Sequence, residues 1–186
     1  NEKYQTELFS LFQHPLTSLK QFYANILKAY TMEGFLYKNL NRYMRNEDWI
    51  QLDSLLPYAY CFCKAFLCSE LAPDSNNSQQ KLSNSQQDKK MVLYRGARFE
   101  KKILDSYNPK VIKHFAWNSL TSTSTSLCIA KRFMNLDPDK KKTPVMFVIE
   151  VPQDSENGKS FKWIDIKPYS AISSEDEVVI APGSAF

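Results

Sequence analysis

Glycine is scarce in this chain of 186 residues, with four in all, and no Gly-x-Gly-x-x-Gly or Gly-Lys-Ser/Thr run occurs. That counts against a Rossmann or P-loop nucleotide site. Histidine is scarcer still. Neither His14 nor His114 is placed as an obvious base, and no Gly-x-Ser-x-Gly elbow is present, so a serine nucleophile is disfavoured. The four cysteines are Cys61, Cys63 and Cys68, crowded into one predicted helix, and Cys128 alone. Their spacing matches neither a zinc ligand set nor a small disulfide scaffold, so no metal is expected. They read as buried or half-buried free thiols, which leans towards a reducing, intracellular setting. No apolar run approaches the roughly 20 residues of a membrane helix; the best stretch, Leu55 to Cys68, contains Pro57 and Lys64. No membrane span is expected. The chain opens at Asn1 without a methionine or an apolar leader, which reads as a piece of something larger.

What is present describes an ordinary globular chain. Hydrophobic residues make up 43% and charged residues 24%, which excludes disordered and fibrous classes. A chain of this length buries roughly 70% of its unfolded surface, enough for one domain spanning residues 1–186. The net charge of +4 suits an anionic small ligand, an acidic partner or weak nucleic-acid contact without choosing among them. The Lys140-Lys141-Lys142 cluster reads as a solvated loop, and no nucleic-acid partner is expected.

Residues 1–71 read as helical. Leu19, Phe22, Tyr23, Ile26, Leu27 and Tyr30 recur on one helical face, with Thr17 or Ser18 as the cap. A second helix is expected from Glu33 to Arg45, with Gly34 near its start. Tyr37, Asn41 and Arg45 stack along it at four-residue spacing. A third runs from Asp53 to about Leu71, with Pro57 in its first turn. Residues 72–90 are polar and repetitive, and read as a loop or linker. Residues 91–186 change to short strands at Met91–Ala97, Pro144–Val151, Phe161–Ile166 and Glu175–Ile180, with a helix from Ser126 to Asn135 between them. Helices followed by strands predict an α+β fold.

Three groups could carry chemistry. Glu175 and Glu177 stand two apart at the start of a predicted strand, so both face one side while Asp176 faces the other. Arg95, in Val-Leu-Tyr-Arg-Gly, offers a planar fork suited to phosphate oxygens, and Gly96 permits close backbone approach. Thr121 to Ser126 alternates threonine and serine; alone it reads as a polar edge strand or turn, and its hydroxyls could orient a carboxylate. Each signal is weak by itself.

Their order is informative. An aromatic-Arg-Gly, then Ser-Thr-Ser with Ala130 and Phe133 six and nine residues beyond Ser124, then a terminal Glu-x-Glu-Val, resembles the Arg-Ser-Glu class of mono-ADP-ribosyltransferases. Counting back from Ala130 and Phe133 places the hydroxyl motif on Ser122-Thr123-Ser124; Ser124-Thr125-Ser126 is the other register. Tyr30-Thr31-Met32-Glu33, Leu36-Tyr37-Lys38 and Leu40-Asn41-Arg42 look like the amino-terminal helices of eukaryotic members. Val178 to Phe186 looks like the strand that follows their carboxylates. The likeness covers residues 19–70 and 91–186.

This resemblance implies an ADP-ribosyltransferase-like fold, with the helical segment packed on a mixed two-sheet β core and an NAD cleft between the sheets. It implies NAD as co-substrate, no metal, and transfer of ADP-ribose to arginine side chains of a protein partner with release of nicotinamide. By it, Arg95 holds the NAD phosphates and Gly96 offers backbone groups to the nicotinamide amide. Ser122 orients Glu177, which stabilises the ribosyl cation; Glu175 faces the acceptor guanidinium. Phe133 either stacks on the nicotinamide ring or is a core aromatic, and Tyr37 and Asn41 match NAD-contacting helix positions. Many relatives carry an aromatic and a proline where Ile172 and Ser173 stand. If that altered turn fails to hold an acceptor, the alternative is an NAD glycohydrolase; the alternative from another class is a catalytically silent NAD-binding or interaction domain. Oligomeric state stays open.

Overall fold

The computed structural model describes residues 2–13, 15–32, 34–68, 71, 90–107, 116–136, 141–152 and 162–184. His14, His114, Phe161, Lys140 and almost all of the 72–90 loop lie outside the described residues, as do Glu33 and the last two residues.

The amino-terminal half is helical, as its periodicity predicts. It begins with α1 (Glu2–Ser10), followed by α2 (Leu19–Thr31), in which Ile26, Leu27, Ala29 and Tyr30 are buried. Ser18 caps α2 by accepting from the Gln21 backbone N–H at 3.1 Å, and the Gln21 side chain reaches back to accept from Thr17. Helix α3 (Phe35–Asn46) starts from Gly34, where a side chain would run into the Tyr4 ring. The third predicted helix is broken. Asp48 caps a single turn, α4 (Trp49–Leu52); residues Asp53–Leu55 form a 3₁₀ turn; and α5 (Leu56–Ala65) ends six residues short of Leu71. Pro57 is the cause. It lacks the N–H that would bond the Asp53 carbonyl four residues back, and that carbonyl accepts instead from Leu56.

The second half contributes five strands: β1 (Lys90–Phe99), β2 (Thr121–Ser124), β3 (Thr143–Pro152), β4 (Trp163–Asp165) and β5 (Glu177–Ile180). A short α6 (Lys101–Ser106) follows β1, and α7 (Leu127–Leu136) sits between β2 and β3 near its predicted place. The strands lie in the order β3-β1-β2-β5-β4, every pair antiparallel. Among the described residues, then, the sheet is single and antiparallel rather than the mixed, two-sheet core expected. One feature explains the expectation. β1 pairs with β3 along ten residues but is in register with β2 only at Tyr94↔Ser124. Beyond that pair the β3-β1 ribbon parts from the β2-β5-β4 segment.

The hydroxyl-rich β2 is the middle strand of the five, not an edge. Its neighbour β5 is buried along its whole length and serves both cores. Val179 packs with Ile164, Ile166 and Leu120 under the helical layer of Leu27, Tyr30, Leu40 and Phe62. Val178 and Ile180 pack on the other face with Leu93, Ile149 and Val151, against Trp117 and Phe147. Cys61 and Cys68 are half-buried, whereas Cys63 and Cys128 are exposed; all four are free.

Candidate active site

A cavity of about 610 Å³ opens where β1 diverges from β2, and the helical layer closes its other side. Tyr30, Tyr37, Lys38 and Arg45 line it from α2 and α3; Tyr94 to Arg98 from β1; Ser122 to Ser124 from β2. Ala130 and Phe133 come from α7, and Ile172, Glu175 and Glu177 from the turn into β5. Residues 95, 122, 175 and 177, scattered over 83 positions of sequence, thus meet on one space.

Glu177 is the first residue of β5, paired with Ser124 across the ladder and 8% exposed. Burial pushes its pKa up to about 7. Its hydrogen bond from Ser122 and the nearby Arg95 charge oppose that rise, and the Glu175 charge adds to it. Arg95 projects from β1 and donates from Nη1 to the Ser122 carbonyl at 2.7 Å, with its guanidinium carbon 5.8 Å from the Trp117 ring centre. It ties the two parted segments where the backbone ladder has stopped. Burial lowers its pKa, yet a guanidinium stays cationic at neutral pH.

Glu175 is not in the strand. It ends a 3₁₀ turn, Ser173–Glu175, and Asp176 after it adopts a left-handed conformation at φ 45°. The two-residue spacing therefore brings both carboxylates to one cavity through a kink and not through strand alternation. Asp176 points elsewhere, as expected, and pairs with Lys167.

The hydroxyl run sorts itself by partner. Thr121 donates to the Ser119 carbonyl, Thr123 to Val178 and Ser124 to Glu175. Ser122 alone among these four turns its hydroxyl to side chains, Tyr30 at 3.3 Å and Glu177. That geometry sets Ser122 apart from Thr121, Thr123 and Ser124.

The remaining expected residues divide. Phe133 is 43% exposed and faces the cavity instead of a core. Tyr37 also lines it, edge-on to Tyr30 at 5.2 Å. Gly96 lines it too, but the side chain it lacks is excluded by α7, because a Cβ there would collide with the Ala130 carbonyl. Its glycine is required by helix packing. Asn41 is not among the lining residues: it is 3% exposed and donates to the Tyr30 hydroxyl at 2.9 Å. Helical spacing places it between Tyr37 and Arg45, which both line the cavity, but its short amide is buried and engaged by the Tyr30 hydroxyl.

Sequence reasoning missed Arg45, Lys38, Tyr94 and Ile172 as lining residues and left Tyr30 as a packing residue. Arg45 was the recoverable one, since it completes the Tyr37-Asn41 row and its charge is felt at Arg95. Arg98, though at the cavity, donates to the carbonyls of Met134 and Lys142 and so braces α7 against the start of β3.

Comparison with solved structures gives the fold. Vis from Vibrio splendidus, an ADP-ribosyltransferase seen in complex with agmatine, superposes with a TM-score of 0.57 at 18% identity, covering 100% of this chain and 77% of that one. The chain has the ADP-ribosyltransferase fold. HopU1 of Pseudomonas syringae pv. tomato DC3000, an ADP-ribosyltransferase, gives 0.53 at 17% identity over 98% of this chain and 73% of its own. The eukaryotic mono-ADP-ribosyltransferase ART2.2 gives 0.50 at 17% identity over 98% and 66%; a mutant of ART2.2 is known in complex with NADH. No family model and no curated protein matches the sequence. The α+β layout, helices with a five-stranded antiparallel sheet, is in keeping with that fold.

Proposed function

We propose that the protein cleaves NAD and transfers its ADP-ribose to the guanidinium of an arginine, releasing nicotinamide. The observation that carries this reading is the convergence of Arg95, Ser122, Glu175 and Glu177 on one cavity in a chain with this fold. The cavity's volume falls within the roughly 300–1,000 Å³ usual for small-molecule sites. Arg95 and Arg45 supply cations for a pyrophosphate, and Phe133 and Tyr37 supply aromatic faces for a nicotinamide ring.

Glu177 is the group for bond cleavage. As the ribose C1′–nitrogen bond breaks, the electron pair leaves with nicotinamide and positive charge develops on the ribose. A carboxylate in a partly dehydrated site stabilises that charge more than water would. A pKa of about 7 keeps a useful fraction ionised at neutral pH. Glu175, on the flank of the same cavity, would pair with the acceptor guanidinium and take its proton as the nitrogen–C1′ bond forms. That Vis binds agmatine, a guanidinium compound, supports this choice of acceptor.

A second reading, hydrolysis of NAD by water, is favoured by one observation: Ile172 stands in the cavity lining where many relatives carry an aromatic. One assay separates the two. Purified protein is given labelled NAD with and without agmatine, and wild type is compared with Glu175→Gln and Glu177→Gln. ADP-ribosyl-agmatine from the wild type, hydrolysis in preference to transfer in E175Q and near-complete loss in E177Q are expected. Nicotinamide release indifferent to agmatine would select the hydrolase. No release from wild type that still binds NAD would select a silent domain.

A further inference from the structure

We infer that Tyr30 and Asn41 are positioning residues that hold Glu177 through Ser122, in a one-way chain of hydrogen-bond donors running from α3 to the carboxylate. The kinetic part rests on the reading of Glu177 as the NAD-cleaving acid; the geometry does not.

The chain has three links. Asn41 Nδ2 donates to Tyr30 Oη at 2.9 Å, Tyr30 Oη lies 3.3 Å from Ser122 Oγ, and Ser122 stands beside Glu177 in the same cavity, where its hydroxyl opposes the rise of the carboxyl pKa. It crosses from the helical layer to the middle of the sheet, through Asn41 at 3% and Tyr30 at 1% exposure.

Its direction follows from counting protons. A phenol has one. Ser122 also has one, and an ionised carboxylate can only accept, so with the Ser122 proton given to Glu177 the Tyr30–Ser122 bond uses the proton of Tyr30, whose oxygen accepts from Asn41. Turning the amide over would reverse the first link and leave a buried NH₂ without an acceptor. As placed, it is the Asn41 carbonyl oxygen that lacks a partner, and buried orphan donors are rarer than under-satisfied oxygens. Burial holds the Tyr30 phenol far above its ordinary pKa, so the link keeps its proton. The ring is fixed by Phe62 at 4.6 Å and Tyr37 at 5.2 Å. Donors in series polarise one another, so the bond reaching Glu177 is stronger than that of an isolated serine.

The charged neighbours of Glu177 are Glu175 from the turn and Arg95 from β1; Arg45 of α3 stands one step away, near Arg95. All are kept in the variants that test the chain: Tyr30→Phe, which removes only the hydroxyl, and Asn41→Asp, whose carboxylate would turn the Tyr30 proton away from Ser122. Tyr58→Phe is the control. It deletes a hydroxyl that donates to the Ile26 carbonyl in the same helical layer, outside the chain. Steady-state nicotinamide release and the ¹³C carboxyl titration of Glu177 are measured in each.

Y30F and N41D are expected to lose about tenfold in kcat with KM for NAD within about twofold. Their Glu177 titrations should move to higher pH, and Y58F should shift neither reading. A raised KM with kcat kept would mean that Tyr30 and Asn41 touch NAD directly, and would overturn the inference. So would an unmoved Glu177 titration in both variants. If wild type releases no nicotinamide while the titration still shifts, the enzymatic reading fails and the positioning chain stands.

Discussion

Glu177 and Glu175 stand two residues apart and are held by different means. Glu177 opens a strand paired on both sides, with β2 and β4, and its oxygens meet Ser122 in a buried setting. Glu175 sits on a turn outside the ladder. That turn is tethered from both halves: the Ala171 N–H donates to Thr31 Oγ1 at 2.8 Å, Ser124 Oγ donates to the Glu175 carbonyl at 2.8 Å, the Thr125 N–H donates to the Asp176 carbonyl at 3.2 Å, and Lys167 pairs with Asp176. The first reaches across to the end of α2; the others come from within the sheet half. The contrast separates the two parts of the proposed reaction. Bond cleavage falls to the group that the fold holds most tightly, and the choice of acceptor to a segment that can be altered without rebuilding the sheet.

The sharpest way to break that contrast is to neutralise each acid. E177Q is expected to lower nicotinamide release about a thousandfold. Equal loss in E175Q would merge the two roles. E175Q is instead expected to lower transfer to agmatine about a hundredfold more than it lowers hydrolysis, measured as ADP-ribosyl-agmatine against free ADP-ribose.

The pH dependence sharpens it further. With Glu177 at about 7, kcat/KM for nicotinamide release should fall on the acid side with a midpoint near 7, approaching tenfold per unit below it. Stability runs the opposite way. The folded pKa lies above the unfolded value of 4.5, so the protonated form favours folding below pH 4.5, and that contribution is lost as pH rises through 7. E177Q should therefore be more stable than wild type at pH 8, by on the order of 3 kcal/mol, with the advantage gone below pH 4.5. Chemical denaturation at the two pH values checks this. The smallest effect concerns the tether from α2. Thr31→Val removes the acceptor for Ala171, and should reduce the transfer-to-hydrolysis ratio about fivefold while Thr31→Ser restores it.

Much of the site was legible in the residues, for reasons that differ from one to the next. The helices of the first half show their buried faces as a period, and Ser18 its cap, because these are local rules. The role of β2 was not legible. Its hydroxyls suggest an edge, and only the pairing partners 30 residues before it and 53 to 59 after it make it the central strand. Glu175 and Glu177 were correctly brought together on a mistaken ground, since alternation along a strand and a 3₁₀ turn followed by a left-handed residue can put two acids on one ligand equally well. Gly96 lines the cavity, but the close approach its missing side chain allows is that of the Ala130 backbone, a contact between elements that no single segment announces. The burial of Asn41 away from the cavity lining is illegible for the same reason: a helix face is local, but what covers it is not.

Asp176 carries one more consequence. Its left-handed backbone makes the turn between the two acids a position where stereochemistry screens the side chain before any ligand does. Glycine, asparagine and aspartate enter that conformation readily, and β-branched residues scarcely at all. For protein engineering, the triplet Glu175-Asp176-Glu177 thus has two positions that face the cavity and one that must first satisfy the shape of the chain. A library randomised over all three would lose most of its members at the middle residue, for reasons unrelated to NAD.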